Sequence, residues 1–101
     1  ELLVVGWGST YGAIRTAIAR VRERGKKVSQ VHLRYLNPMP KNLGEVLQKF
    51  KNILVPEMNL GQLSNVLRMK YLLPTIPLNK VQGLPFKASE IEKKIEEILK
   101  G

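Results

Sequence analysis

The run Leu2-Leu3-Val4-Val5-Gly6-Trp7 decides how the chain folds. Six consecutive apolar residues have the length of a strand, and a strand apolar throughout is one covered on both faces, as in a parallel sheet. The turn Gly6-Trp7-Gly8-Ser9-Thr10-Tyr11-Gly12 leads into a helix expected over Thr10 to Arg24, where Ile14, Ile18 and Val21 recur at steps of four and three. Arg15, Arg20, Arg22 and Arg24 fall elsewhere on that helix, and Gly25 supplies its stop. Val28 to Tyr35 then reads as a second strand. It is closed by Asn37-Pro38-Met39-Pro40, whose prolines continue neither helix nor central strand.

The rest of the chain repeats the alternation. Asn42 with Glu45, Asn59 with Gln62, and Ser89 with Glu92 each have the spacing of a capping box at a helix start. Apolar stripes follow them: Leu43, Val46, Leu47 and Phe50; Leu60, Leu63 and Leu67; Ile91, Ile95, Ile98 and Leu99. Asn52 to Pro56 is a third, buried strand, and Thr75 to Gln82, with Pro77 near its start, is a weaker fourth one suited to a sheet edge. The expected fold is α/β, a three-layer α/β/α sandwich with a mostly parallel sheet of about four to five strands, formed by residues 1–101 as a single domain.

Composition removes several kinds of chemistry. The 101 residues include no cysteine, no aspartate and one histidine, His32. This chain therefore builds no disulfide, no cysteine-held zinc or iron–sulfur cluster and no His-Asp relay. No apolar run approaches the length that crosses a bilayer. Seventeen Lys and Arg against eight Glu leave a formal charge of +9, which suits an acidic partner or a face neutralised by neighbours. The start in mid-strand, with no initiator Met or charged leader, reads as a domain cut from a longer polypeptide.

Each candidate site has a plainer reading beside it. Gly8, Ser9 and Thr10 sit where a phosphate could meet a helix N-terminus. The dinucleotide fingerprint, however, needs a glycine where Tyr11 stands and an acid where Leu33, Arg34 and Tyr35 close the second strand. A tight turn explains these glycines without a ligand. His32 reads as a half-buried, hydrogen-bonded strand residue. Glu57 falls where the third strand ends, a place that lines ligand crevices in open α/β sheets, but it could equally complement a helix's positive end, with Asn59 a simple cap. Arg15, Arg20, Arg22, Arg24, Lys26 and Lys27 cluster without interleaved aromatics, which favours a solvated or protein-docking face over a nucleic-acid one.

Four stretches together carry a resemblance: Trp7-Gly8-Ser9-Thr10-Tyr11-Gly12, His32-Leu33-Arg34-Tyr35-Leu36-Asn37-Pro38, Val55-Pro56-Glu57-Met58-Asn59-Leu60-Gly61-Gln62-Leu63 and Asn79-Lys80-Val81-Gln82-Gly83-Leu84-Pro85-Phe86. In order and over the whole chain they resemble the C-terminal, transketolase C-terminal-like domain of the alpha subunit of 2-oxoacid:ferredoxin oxidoreductases, most closely the 2-oxoglutarate type. The resemblance implies a cytoplasmic parent enzyme that uses thiamine diphosphate, Mg, iron–sulfur clusters and CoA, passes electrons to ferredoxin and makes succinyl-CoA. It also implies that this chain holds no catalytic residue, cofactor or metal of its own. Its partners would be the rest of the alpha subunit and the beta subunit, with ferredoxin met indirectly, and neither nucleic acid nor membrane. The polar and aromatic residues Trp7, Tyr11, Tyr35, Asn37, Glu57, Asn59 and Gln62 gather at one sheet edge as interface candidates. The alternative from the residues themselves is a free-standing nucleotide- or CoA-binding module that uses the Gly6–Gly12 turn.

Overall fold

A computed structural model describes residues 2–7, 10–33, 42–57, 62–71, 74–79 and 86–100; the side chains of Gln62 and Asn79 are outside the description. Among the described residues four strands alternate with four helices: β1 (Leu2–Trp7), α1 (Tyr11–Glu23), β2 (Val28–Leu33), α2 (Leu43–Gln48), β3 (Asn52–Glu57), α3 (Gln62–Tyr71), β4 (Ile76–Asn79) and α4 (Ala88–Lys100). The strands form one parallel sheet in the order β2-β1-β3-β4. The sheet thus grows from β1 in one direction through β2 and in the other through β3 and β4.

Alternation along the strands divides the core into two layers. Leu2, Val4, Val28 and Leu54 pack with Ile14, Ile18 and Val21 of α1 and Ile91 and Ile95 of α4. Leu3, Val5, Leu33, Ile53 and Val55 pack with Leu43 and Leu47 of α2 and Leu63 and Leu67 of α3. The expected α/β sandwich is therefore the observed one, and every strand in it is parallel. Pro77 lies in β4, the edge strand, where a missing N–H is tolerated. At the far end of α1, Gly25 takes φ +82°, and its N–H bonds Arg22 O at 2.9 Å while that of Lys26 bonds Val21 O at 3.3 Å. These are the two bonds of a Schellman stop. Arg22 Nε then donates to Val28 O at 2.9 Å, fastening the helix end to the start of β2.

Two capping expectations are corrected. Asn42 precedes α2 but makes no side-chain cap bond, so the Asn42–Glu45 box does not form. At α4 the frame is shifted by two residues: Glu90 Oε1 accepts the Lys87 N–H at 2.8 Å, and Ser89 lies inside the helix. Glu92 instead meets Arg20 of α1 and Arg24, the residue that follows that helix. Arg24 Nη1 approaches it at 2.8 Å and Arg20 Nη1 at 3.5 Å, while Arg24 Nε reaches Glu96 at 3.3 Å. Much of the arginine cluster on the first helix is thus engaged within the domain. The Asn37–Pro40 turn, residues 34–35 of the second expected strand and residues 80–82 of the fourth lie outside the described residues, as do Asn59 and Leu60.

Candidate functional site

In a parallel α/β sheet, ligands and partners commonly meet the crevice at the C-terminal strand ends where the strand order changes direction. Here that point lies between β1 and β3. Leu2 to Val4 of β1 are laddered to Asn52 to Leu54 of β3. Beyond them, among the described residues, the two strands are no longer paired with each other. β1 stays with β2 as far as Trp7–Leu33, and β3 stays with β4 as far as Glu57–Asn79. Pro56 lies in the segment of β3 that is paired with β4 and no longer with β1.

Trp7 and Glu57 end the two strands that part. Trp7 is half-buried and rests on the α2/α3 layer. Thr10 Oγ1 donates to Trp7 O at 2.9 Å, and the residue is 4% exposed, so this hydroxyl ties the start of α1 to the end of β1. Gly6 has a packing reason: a Cβ there would stand 2.3 Å from Ile14 Cδ1. A larger residue there would have to displace that methyl, the far end of a flexible side chain, and would crowd Thr10 Oγ1 at 3.1 Å. Tyr11, the first residue of α1, is 46% exposed and stands edge-on to the His32 ring, with centroids 4.9 Å apart. His32 is half-buried as expected, but its buried Nδ1 has no hydrogen-bond partner among the described residues.

Glu57 is turned inward. It is 1% exposed, and its two carboxylate oxygens accept the N–H groups of Leu63 at 2.6 Å and Ser64 at 3.0 Å. Those amides are donors that the first turn of α3 cannot satisfy within the helix, and a carboxylate also complements the positive end of the helix. The plainer sequence reading of Glu57 is thus the observed geometry. The α3 N-terminus is occupied by a side chain of its own domain and does not stand open to a phosphate.

A second polar group holds α3 to Thr75, the residue just ahead of β4, and sequence reading missed it. Buried Ser64 and Thr75 share a short hydroxyl–hydroxyl hydrogen bond, Arg68 Nε donates to Thr75 Oγ1 at 3.0 Å, and Arg68 also donates to the Thr75 carbonyl. The partners are seven and eleven residues apart, too far for any local motif to announce them. Of the other interface candidates, Gln62 begins α3, whereas Tyr35, Asn37 and Asn59 lie outside the described residues, as do Gly8 and Ser9. Among the described residues no three metal-ligating side chains converge, and no helix is long and apolar enough to cross a membrane.

With this geometry in place, comparison with known proteins identifies the class. Residues 1–92 match the family described as pyruvate:ferredoxin oxidoreductase core domain II, and the chain belongs to that family. Over all 101 residues it is 54% identical to the 2-oxoglutarate oxidoreductase subunit KorA of Mycobacterium tuberculosis, covering 16% of that protein. It is 33% identical over 97 residues to the 2-oxoglutarate synthase subunit KorA of Methanocaldococcus jannaschii, covering 94% of this chain and 26% of the relative. The 2-oxoglutarate:ferredoxin oxidoreductase from Magnetococcus marinus, solved with 2-oxoglutarate, coenzyme A and succinyl-CoA bound, superimposes with a TM-score of 0.89 at 33% identity over 96% of this chain and 17% of its own. The resemblance carried by the four motifs is borne out. The chain spans about a sixth to a quarter of the length of these relatives.

Proposed function

We propose that residues 1–101 fold as one assembly domain within the alpha subunit of a cytoplasmic 2-oxoacid:ferredoxin oxidoreductase that converts 2-oxoglutarate and CoA to succinyl-CoA and reduces ferredoxin. The substrate assignment rests on the relatives named for 2-oxoglutarate and on the compounds bound in the Magnetococcus structure. The non-catalytic role rests on one observation: Glu57, the only carboxylate described at the crevice, is buried and held by two backbone amides. It is in no position to exchange a proton with a substrate.

The described residues offer no site for the metal and clusters of such an enzyme. A chain without cysteine offers iron–sulfur clusters no thiolate. Magnesium and its diphosphate find no converging carboxylates among the described residues. Thr10 and the α3 N-terminus, two anchors a phosphate group could use, are occupied by Trp7 O and by Glu57. Thiamine diphosphate, Mg, the clusters and CoA are on this reading held by other parts of the complex.

The docking surface is the C-terminal strand edge. Trp7 and exposed Tyr11 supply aromatic anchors there, and Tyr35, Asn37, Asn59 and Gln62 follow β2 and β3 in sequence. Glu57 lies beneath and sets the position of α3. The partners are the remainder of the alpha subunit and the beta subunit. In the full enzyme, Tyr11→Ala and Asn59→Ala are expected to weaken subunit association and ferredoxin reduction with little change in the thermal unfolding of this domain. Wild-type association and turnover in both variants would remove the docking role. Failure of the full enzyme to oxidise 2-oxoglutarate in the presence of CoA would remove the substrate assignment.

A further inference from the structure

The opposite edge of the sheet has a different chemistry. A helix linking parallel strands starts at their C-terminal edge and returns to the edge where the next strand begins. The ends of α1, α2 and α3 therefore lie at one side of the molecule, and Leu99 near the end of α4 lines a depression with Gly25, Lys26 and Lys27 of that side. That side gathers Lys26 and Lys27 ahead of β2, Lys49 and Lys51 on the way into β3, and Lys100 at the end of α4. All five are exposed, and among the described residues none is ion-paired, in contrast to Arg20, Arg24 and Lys94, which face carboxylates of α4.

Register makes this a surface with a defined geometry. Val28 and Asn52 both pair with Leu2, so Lys27 and Lys51 stand at one level on either side of the entry to β1. Two strand spacings separate them, about 10 Å. Beside them, Gly25, Lys26, Lys27 and Leu99 line an open depression of about 400 Å³, with an aliphatic side chain against two lysines. Complementing the negative ends of helices would account for Lys49 and Lys100. It does not account for Lys26, Lys27 and Lys51, which lie outside any helix, or for the depression.

We infer that this lysine edge is a second docking face, and that its occupant is an acidic protein surface contributed by the part of the parent polypeptide outside residues 1–101. Charge complementarity supplies the chemistry, since a chain with 17 Lys and Arg and eight Glu leaves most of its cations to be met from elsewhere. The length outside supplies the occupant, because this chain is 16% and 26% of two relatives. A single-stranded nucleic-acid partner would call for stacking aromatics among the cations. The aromatic between Lys49 and Lys51, Phe50, packs instead on the α2/α3 core.

The full-length protein tests this directly when treated with a carbodiimide, which joins a lysine amine to a carboxylate in contact with it, and mapped by mass spectrometry. Cross-links from Lys26, Lys27, Lys49, Lys51 or Lys100 to Glu or Asp outside residues 1–101 are expected. These lysines are also expected to acetylate more slowly than exposed Lys93 of α4. No such cross-link overturns the inference. Acetylation as fast as at Lys93 would then mean a bare, solvated edge, and protection that appears only on adding a short DNA duplex would mean a nucleic-acid surface. Neither outcome depends on Tyr11 or Asn59, so this test and that of the C-terminal edge fail separately.

Discussion

The two helical layers cover the same sheet by different means. On one side α1 and α4 are 13 residues each, with stripes of fully buried Ile14, Val21, Ile91 and Ile95 and a row of exposed ion pairs between them. On the other side α2 has six residues and α3 ten, and α3 is fastened by the Glu57 carboxylate and the Ser64–Thr75–Arg68 group. Helix length alone does not decide the means, since the six-residue α2 has no side-chain cap and rests on buried Leu43 and Leu47. In α3 the directed polar contacts fix where the first turn sits, and they come from the end of β3 and from the residue just ahead of β4.

The largest effects should come from both cores and test whether burial dominates in each. Leu47 of α2 and Ile95 of α4 are completely buried. Replacing either by Ala is expected to destabilise the protein by about 2–5 kcal/mol, through lost burial and a residual cavity. Denaturant unfolding measures this. A cost below about 0.5 kcal/mol at Leu47 would show that the α2/α3 side does not rely on burial, and would break the comparison.

Next comes Glu57. Glu57→Ala leaves two buried N–H groups of α3 without an acceptor, which is expected to cost about 1–3 kcal/mol. Glu57→Gln, which keeps one acceptor oxygen, should lose less. Amide hydrogen exchange at Leu63 and Ser64 should rise in both variants while exchange in α1 stays unchanged. Equal acceleration in α1 and α3 would mean that Glu57 supports the whole fold and not α3 in particular.

These cases show what the sequence makes legible. The Leu2–Trp7 run and the α1 stripe point to a parallel sandwich because burial on both strand faces and the helical period are local patterns. Glu57 was also within reach, since Ile53, Val55 and Glu57 alternate onto one face and that face is core. The capping boxes misled for a physical reason. Glu90 and Glu92 are two residues apart and so face nearly opposite sides of the helix, and arginines 68 and 72 residues earlier draw the second away from its own helix end. The Ser64–Thr75–Arg68 group joins residues that only the fold brings together.

That group should rank third. Thr75→Val keeps the shape of the side chain but removes the hydroxyl that joins Ser64 and Arg68, at an expected cost of about 1–2 kcal/mol. The double variant with Ser64→Ala should cost less than the sum of the single ones, because each removes the same bond. Additive costs would show that the two hydroxyls act independently.

The smallest effect belongs to the ion pairs of the α1/α4 layer, and its pH dependence has a definite sign. The hydrogen bond from Arg24 holds the Glu92 carboxyl below the usual carboxylate range, opposed by partial burial and helped by the charges of Arg24 and Arg20. A carboxyl with a depressed pKa in the folded state contributes stability that is fully present above its unfolded pKa. That contribution disappears as pH falls through the lower, folded value. The pairs are exposed, so salt screens them and the effect should be slight. Thermal midpoints of the wild type and Glu92→Gln should therefore differ a little at neutral pH and low salt, converge as pH drops below the carboxylate range, and converge again at high salt. A gap that persists under acid and salt alike would mean that Glu92 acts through packing, and the α1/α4 layer would then depend on directed polar contacts as α3 does.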